Sequence, residues 1–406
     1  MAILVLGANG FIGRHVADAL EAAGFAVRRG ARPAHDLSRL YSAADAAAWL
    51  EDCDAVVNAV GIFREAGSQT FDAVHTRGPM KLFDACAAAG IPVVQLSALG
   101  ANGNAATAFL RSKAAADAHL LSLPVPSLVL QPSLVFGPDG ASARAFATLA
   151  TLPLLPLPGR GEQRVQPVHV DDVAAAVTQT LRRQAYSKTR IAAVGPAPLA
   201  LREYLLALRR GMHAGPAWLM PVPMPLVRLA ARWRMGLLDR AALRMLEQGS
   251  VADPAPFEHL LGRAPRAPDR LIPPRDAPRV RREARLGWLL PLLRASLAFM
   301  WLAAAVVSAG IYPLDESRAM LARLGLTGPW ALLALYGAAA MDAALGVATF
   351  VVRRRALWTL QLLLVLAYTA IITAFLPEQW LHPFGPVVKN IPVLAAILLM
   401  REMEAR

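Results

Sequence analysis

A strand-sized apolar run, Ala2 to Leu6, halts at Gly7, and Gly10 and Gly13 follow at three-residue spacing. No other stretch restricts the fold as much, because a strand, a tight turn and a helix start explain all three glycines together. Gly7 permits the turn, Gly10 lets backbone approach a diphosphate, and Gly13 lets the helix lie close to the strand. The phosphates would sit at the helix N-terminus, where free N–H groups and the helix dipole favour an anion. The spacing is G-x-x-G-x-x-G, not the G-x-G-x-x-G dinucleotide fingerprint, so its weight comes from following a strand. Gly7, Asn9, Gly10, Phe11, Ile12 and Gly13 are the candidate cofactor contacts here. A glycine turn without a ligand is the competing reading.

Apolar residues at helical spacing then run from Phe11 to Leu20 and stop at Gly24, and Phe25 to Arg28 reads as a second strand. An acidic residue at the end of that strand would bond the ribose hydroxyls of NAD. The segment holds Arg28, Arg29 and Arg32 and no acid. A guanidinium fork suits a 2′-phosphate, so Arg28 and Arg32 predict NADP(H) over NAD(H), with Asp36 flanking the adenine. The bland alternative is that these arginines are simply solvated. Residues 54 to 61 read as a buried strand ending in Asn58 and Gly61, where small residues let backbone lie against a cofactor. Residues 93 to 98 form another strand with Ser97 at its carboxyl end. With helices over 70 to 89 and 105 to 122 and a strand over 125 to 131, the alternation means α/β, a doubly wound parallel sheet.

Together, GANGFIG, NAVG, Ser97, QPSLVFGP and QPVHVDDVA (166 to 174) resemble the atypical and extended short-chain dehydrogenase/reductase superfamily over residues 1 to 210. The branch it is most similar to is that of the nucleotide-binding accessory subunit of respiratory complex I. The resemblance implies a Rossmann-type domain and a relay of Ser and Tyr-x-x-x-Lys, in which Tyr exchanges the proton beside a lysine. Ser97 and Lys113 stand at matching positions, but Phe109 takes the place of the tyrosine, and phenylalanine carries no exchangeable proton. Lys113 can still hold a ribose. The site then reads as a cofactor site with its proton relay removed; the competing reading is that His75, His119 or a water supplies the proton, though nothing in the sequence places these near a substrate. Val165 to Val170 reads as a strand, Asp171 and Asp172 read as caps of a helix start rather than a metal pair, and His169 is expected near the sheet edge or cleft. Residues 190 to 212 read as one more strand, a Pro-rich turn and a helix, and resemble the small lobe that covers the substrate cleft in that superfamily.

Apolar residues make up 56% of the 406, more than a soluble domain carries. Four apolar stretches supply the excess, at about 288 to 310, 328 to 351, 356 to 376 and 386 to 400. The net charge of +13 is almost wholly arginine. The arginines are not interleaved with stacking aromatics, which argues against nucleic acid. Eight of them lie in 263 to 285, read as a poorly structured juxtamembrane linker facing anionic lipid. Arg353 to Arg355 sit between spans two and three, and Arg401 and Arg406 follow span four. The positive-inside rule puts both termini in the cytoplasm of an inner-membrane, multi-pass protein. A helix over 225 to 238, with Arg228, Arg232 and Arg234 on one side, can lie at a bilayer interface or be buried against the soluble domain. Cys53 and Cys86 have no metal-ligand spacing and read as core thiols. The apolar N-terminus has no basic n-region and reads as a strand rather than a signal peptide.

Within the spans, Arg294, Asp342, Gln361, Lys389 and Asn390 are expected to avoid lipid, with Arg294 and Lys389 free to snorkel and Asp342 the deepest. YGAAAMDAALG and PEQWLHPFGPVVKNIP resemble the DoxX-like four-helix membrane family over about 286 to 402, a resemblance that implies quinone-linked redox chemistry only suggestively. The expected division is 1–212, a dinucleotide-binding domain with its lobe; 213–285, an interfacial linker; and 286–406, a four-span bundle. Two functions stay open. One is a membrane-anchored NADP(H) oxidoreductase linked to a lipophilic or quinone-type partner. The other is a non-catalytic cofactor-binding scaffold or redox sensor of a membrane complex.

Overall fold

All six strands in the central sheet lie where strands are expected, the first five being β1 (Ala2–Leu6), β2 (Ala26–Gly30), β3 (Ala55–Asn58), β4 (Val93–Leu96) and β5 (Ser127–Pro132). The sixth, β6 (Arg190–Ala193), closes one edge, and every pairing is parallel in the order β6-β5-β4-β3-β1-β2. The computed structural model describes residues 1–232, 240–383 and 385–404. It groups them into Met1–Arg285 and Leu286–Arg406.

Alternation along the strands splits the core in two. Ile3, Val5, Val57, Val94 and Leu128 face Val16 and Leu20 of α1 (Phe11–Ala22). Leu4, Leu6, Val56, Val93 and Val129 face Leu82 and Phe83 of α2 (Gly78–Ala89) and Leu120 of α3 (Ala108–Ser122). β3, β4 and β5 are therefore buried on both faces and read as mostly apolar runs, with the buried polar residues Asn58, Gln95 and Gln131 near their carboxyl ends. From β1 the chain winds to β2 on one side and to β3 on the other, which makes the β1/β3 gap the switch point where ligands bind in open α/β sheets.

Three local expectations shift. The second strand runs to Gly30 instead of stopping at Arg28. The helix expected over 70 to 89 opens with a wide turn, Asp72–Arg77, before α2. There Gly78 packs on the Leu37 carbonyl so closely that a Cβ would stand 2.3 Å from it. The strand expected over 165 to 170 is only two short pieces, Arg164–Val165 and Val168–His169.

Residues 263 to 285 also differ from the poorly structured linker expected of them. Leu271, Ile272, Ala277, Val280 and Ala284 are buried with Tyr204 and Leu208 of the lobe helix Leu201–Gly211. Prolines open the helical turns here, at Pro268 and Pro278, and the aliphatic residues between the arginines supply a packing face. The expected interfacial helix is Met224–Arg232, with Val227 and Ala231 buried; Arg234 lies outside the described residues.

Among the described residues, three helices are long and apolar enough to cross a membrane: α4 (Ala277–Val306, extended by one turn to Ile311), which enters the second unit, α5 (Gly328–Val351) and α6 (Arg355–Phe375). The fourth expected span is α7 (Asn390–Met403), of 14 residues. At 1.5 Å per residue it is about 21 Å long, short of the ~30 Å hydrocarbon core. Trp358, Trp301, Leu345 and Ile397 form the core of this unit. Arg294 does not snorkel: it is buried, donates to the Thr349 carbonyl (2.9 Å), pairs with Glu404 and lies 4.9 Å over the Trp358 ring. Gln361 bridges the Trp301 indole N–H (3.1 Å) and the Thr349 hydroxyl (2.8 Å), so each buried polar group gains a partner. Asn390 donates to the Thr369 hydroxyl, and Asp342 is buried on α5. Arg406 lies outside the described residues.

Candidate functional site

The glycine turn has the geometry that a dinucleotide needs. Gly7 has φ +76°, and its N–H donates to the Gly30 carbonyl (2.9 Å), which ties the turn to the end of β2. Gly10 is the N-cap of α1, and no side chain caps the helix or puts an acid in its first turn. The N–H groups of Phe11, Ile12 and Gly13 thus open the helix toward the carboxyl edge of the sheet, as an anion site requires. A Cβ at Gly13 would stand 2.1 Å from the Gly7 carbonyl oxygen, so only glycine lets α1 sit this close. The Phe11 ring packs where Cβ atoms at Gly137 and Gly140 would fall, at 2.7 and 2.9 Å. Asn9 is exposed on the turn. The residues present fit a diphosphate.

The three arginines near the second strand separate. Arg28 donates to the Glu51 carbonyl (3.0 Å) and to Cys53 Sγ (2.9 Å), on the loop that enters β3 and away from the carboxyl edge. Arg29 is taken by Asp18 and Glu21 of α1. Arg32 is exposed just beyond β2, beside the glycine turn. Asp36 caps the short turn Leu37–Arg39 and accepts from Ser38 and Gln69. Burial would raise its pKa, but those hydrogen bonds and the Arg32 charge hold it below the ordinary value.

At β4 and α3 the matching relay positions are already occupied. Lys113 is buried and its Nζ donates to the Val60 (2.8 Å) and Leu96 (3.1 Å) carbonyls, at the carboxyl ends of β3 and β4. Burial lowers its pKa to about 8, partly opposed by Asp117. Ser97 donates to Asp117 Oδ2 (2.5 Å), one helical turn beyond Lys113, and Gln131 donates to the same oxygen. Burial pushes the Asp117 carboxyl up. Asn58 is fully buried and donates to Gln95 Oε1 (2.8 Å), which steadies the ends of β3 and β4. Gly61 leaves room for the Lys113 ammonium, 3.4 Å from where its Cβ would be.

Phe109 closes the same edge with an aromatic group. It stacks on Phe63 (5.1 Å between centroids) and meets Phe71 and His75 edge-on. His75 Nε2 accepts from the Ile62 N–H (2.9 Å), so its proton lies on Nδ1, which donates to Ser112 Oγ (3.1 Å). Burial, and then the Lys113 charge, lowers its pKa to about 3. His119 pairs with Asp84 (2.6 Å), three helical turns from Phe109. The structure thus brings Ser97, Lys113, Phe109, His75 and Gly61 together, and leaves His119 elsewhere. Sequence reasoning missed Asp117, Gln131, Phe63 and Phe71. Asp117, four residues after Lys113 on one helix face, was the signal available.

His169, not an aspartate, caps the helix Val170–Arg183, its Nδ1 accepting from the Asp171 N–H (3.1 Å). Asp172 is fully buried and accepts from Arg263 (2.5 Å) and the Arg266 N–H (2.8 Å), while Asp171 meets His15 and Arg266. The acid pair therefore fastens the 263 to 266 segment. Burial and the Arg266 charge lower the His169 pKa to about 4. A cavity of about 510 Å³ opens beside these groups, lined by His15, His169, Arg266 and Arg270 among others. Among the described residues no three His, Cys, Asp or Glu side chains are grouped to hold a metal.

Comparison with known proteins follows this geometry. Residues 3–195 match the NAD dependent epimerase/dehydratase family, and 298–398 match the DoxX-like family. A ceramide reductase of Caulobacter vibrioides is 25% identical over 193 residues, 44% of this chain and 61% of that protein. NADH dehydrogenase (ubiquinone) 1 alpha subcomplex subunit 9 of Arabidopsis thaliana is 29% identical over 198 residues, 44% of this chain and 49% of that protein. The chain therefore spans about half to three-fifths of these relatives' length. Among solved structures, UDP-glucuronic acid 4-epimerase from Bacillus cereus in complex with NAD superposes with TM-score 0.53 at 17% identity, over 69% of this chain and all 100% of that one. UDP-N-acetylglucosamine 4-epimerase from Bacillus cereus gives 0.51 at 16%, over 70% and 96%. At such identities these likenesses concern the fold. The chain joins an N-terminal Rossmann-type domain of the NAD dependent epimerase/dehydratase family to a C-terminal DoxX-like membrane domain.

Proposed function

We propose that this chain is a membrane-anchored NADP(H)-binding protein of the short-chain dehydrogenase/reductase kind, in which a fixed side-chain network replaces the superfamily's proton relay. The observation that carries this reading is Lys113, whose ammonium is spent on two strand-end carbonyls beneath an aromatic Phe109. A carbonyl reductase needs an ionisable hydroxyl beside a free cation. Here position 109 has no hydroxyl, Ser97 is turned to Asp117, and His75 is neutral with both ring nitrogens engaged. The glycine turn remains suited to a diphosphate, and Arg32 supports a 2′-phosphate. When bound, the nicotinamide supplies hydride chemistry; this chain's residues bind and orient it.

In this reading the dinucleotide stabilises the domain by binding its folded state, and its redox state is reported to a membrane complex. Likeness to a subunit named for NADH dehydrogenase supports such a setting. A second reading, oxidoreduction with a lipophilic or quinone-type partner, is favoured by the relative named a ceramide reductase. It requires an acceptor with its own proton path. The arginines at 353 to 355 support an inner-membrane placement with the Rossmann domain and both termini cytoplasmic.

Membranes containing the full chain, given NADPH and a short-chain quinone, separate the two. The first reading expects bound NADPH and no oxidation beyond that of membranes lacking the protein. Protein-dependent, quinone-dependent oxidation overturns it in favour of the second, and failure to bind NADPH contradicts both.

A further inference from the structure

In the first unit, the strands Leu154–Pro158 and Trp218–Val222 run parallel as a two-stranded ribbon, with Trp218 opposite Leu154, Met220 opposite Pro156 and Val222 opposite Pro158. Side chains alternate across a strand. Leu155 and Leu157 are buried, so the first two pairs share the outward face, while Val222 packs on Val227 and Ala231 of the helix that follows. No side chain on that face is charged. Trp218 is 80% exposed and Leu154 54%. The helix that follows, Met224–Arg232, buries Val227 and Ala231 and exposes Leu226 and Leu229. Arg228, paired with Glu247, and Arg232 are exposed on the same helix.

Contiguous apolar surface of this kind marks an interaction site. An amphipathic indole beside aliphatic side chains, with arginine at the margin, suits the boundary between lipid headgroups and acyl chains. The chain supplies its own reason for that occupant. Residues 298–398 match the DoxX-like family on the same polypeptide, so a bilayer is tethered to this unit and its effective concentration is high. We propose that the ribbon and helix dock on the lipid surface, with Trp218 as the anchor. The inference does not depend on whether the cofactor turns over.

The test uses the full chain in vesicles of equal parts phosphatidylcholine and phosphatidylglycerol. Nitroxide labels are placed at Trp218→Cys or Leu229→Cys, with Ser187→Cys as an exposed control in the same unit. The unsubstituted protein, whose Cys86 is buried, sets the labelling background. Labels at 218 and 229 are expected to relax several-fold faster with oxygen than with a water-soluble nickel chelate, the reverse of the control. Adding Met220→Glu to the 229-labelled protein is expected to restore access of the chelate. Labels at 218 and 229 that behave like the control overturn the proposal. So does dipolar broadening between labels, which would mean a second copy covers the face.

Discussion

The turn after β1 and the segment around β4 and α3 share one sheet edge and have opposite characters. The first is all backbone: three glycines, an uncapped helix start and no side chain in the way. The second is built from side chains that are already engaged: Lys113 on the Val60 and Leu96 carbonyls, Ser97 on Asp117, and His75 between Ile62, Ser112 and the Phe109 ring, so that little is left to meet a substrate. Holding a dinucleotide and moving a proton are thus separable in this fold. Backbone geometry does the first, and freely available titratable groups are required for the second.

The sharpest way to break that contrast is at the backbone. Gly13→Ala forces a Cβ against the Gly7 carbonyl, and is expected to cost about 3 kcal/mol and to abolish dinucleotide binding. A thermal midpoint within a degree of the parent would mean α1 does not need its close approach. Next, Lys113→Ala leaves the Val60 and Leu96 carbonyls without their donor, at a cost of about 2 kcal/mol. Loss of cofactor affinity with unchanged stability would instead make Lys113 a ribose ligand.

Acid is expected to act gradually, spread over several pH units. Burial holds His75 near 3 and His169 near 4, below the ordinary value of about 6.5. Between those values the unfolded chain binds the proton and the folded chain does not. Stability is therefore full above pH ~6.5 and falls as pH drops toward each folded value, by at most ~1.4 kcal/mol per unit for each histidine. A midpoint that holds steady or rises on acidification from neutrality would show that these histidines are charged when folded. The smallest effect belongs to Phe109→Tyr. A hydroxyl beside an engaged lysine and serine is expected to leave cofactor binding unchanged and to create no carbonyl reductase activity. Activity gained by this substitution would mean that the site is a reductase lacking one group.

What the sequence revealed follows the same division. Local rules exposed the glycine turn, the strands buried on two faces and the long apolar helices, because each is a matter of spacing along the chain. The partners of Arg28 and Lys113 come from loops and strand ends far along the chain, and no periodicity announces them. Segment 263 to 285 looked like a charged linker because its arginines outnumber its aliphatics. In the fold, Asp172 is buried under two of those arginines while Leu271 and Ile272 enter the core. The fourth span, short in the sequence at about 386 to 400, keeps its length but starts later, at Asn390, after the polar Lys389.

The central claim is a site that keeps NADP(H) and has no relay. It is tested most directly by fluorescence titration of the full-length protein in vesicles with NADPH and with NADH, beside the variant Arg32→Ala. The account predicts tighter binding of NADPH, lost by about tenfold in the variant (about 1.4 kcal/mol) with NADH affinity unchanged. Equal affinity for the two cofactors in the parent protein, or an unaltered preference without Arg32, would contradict it.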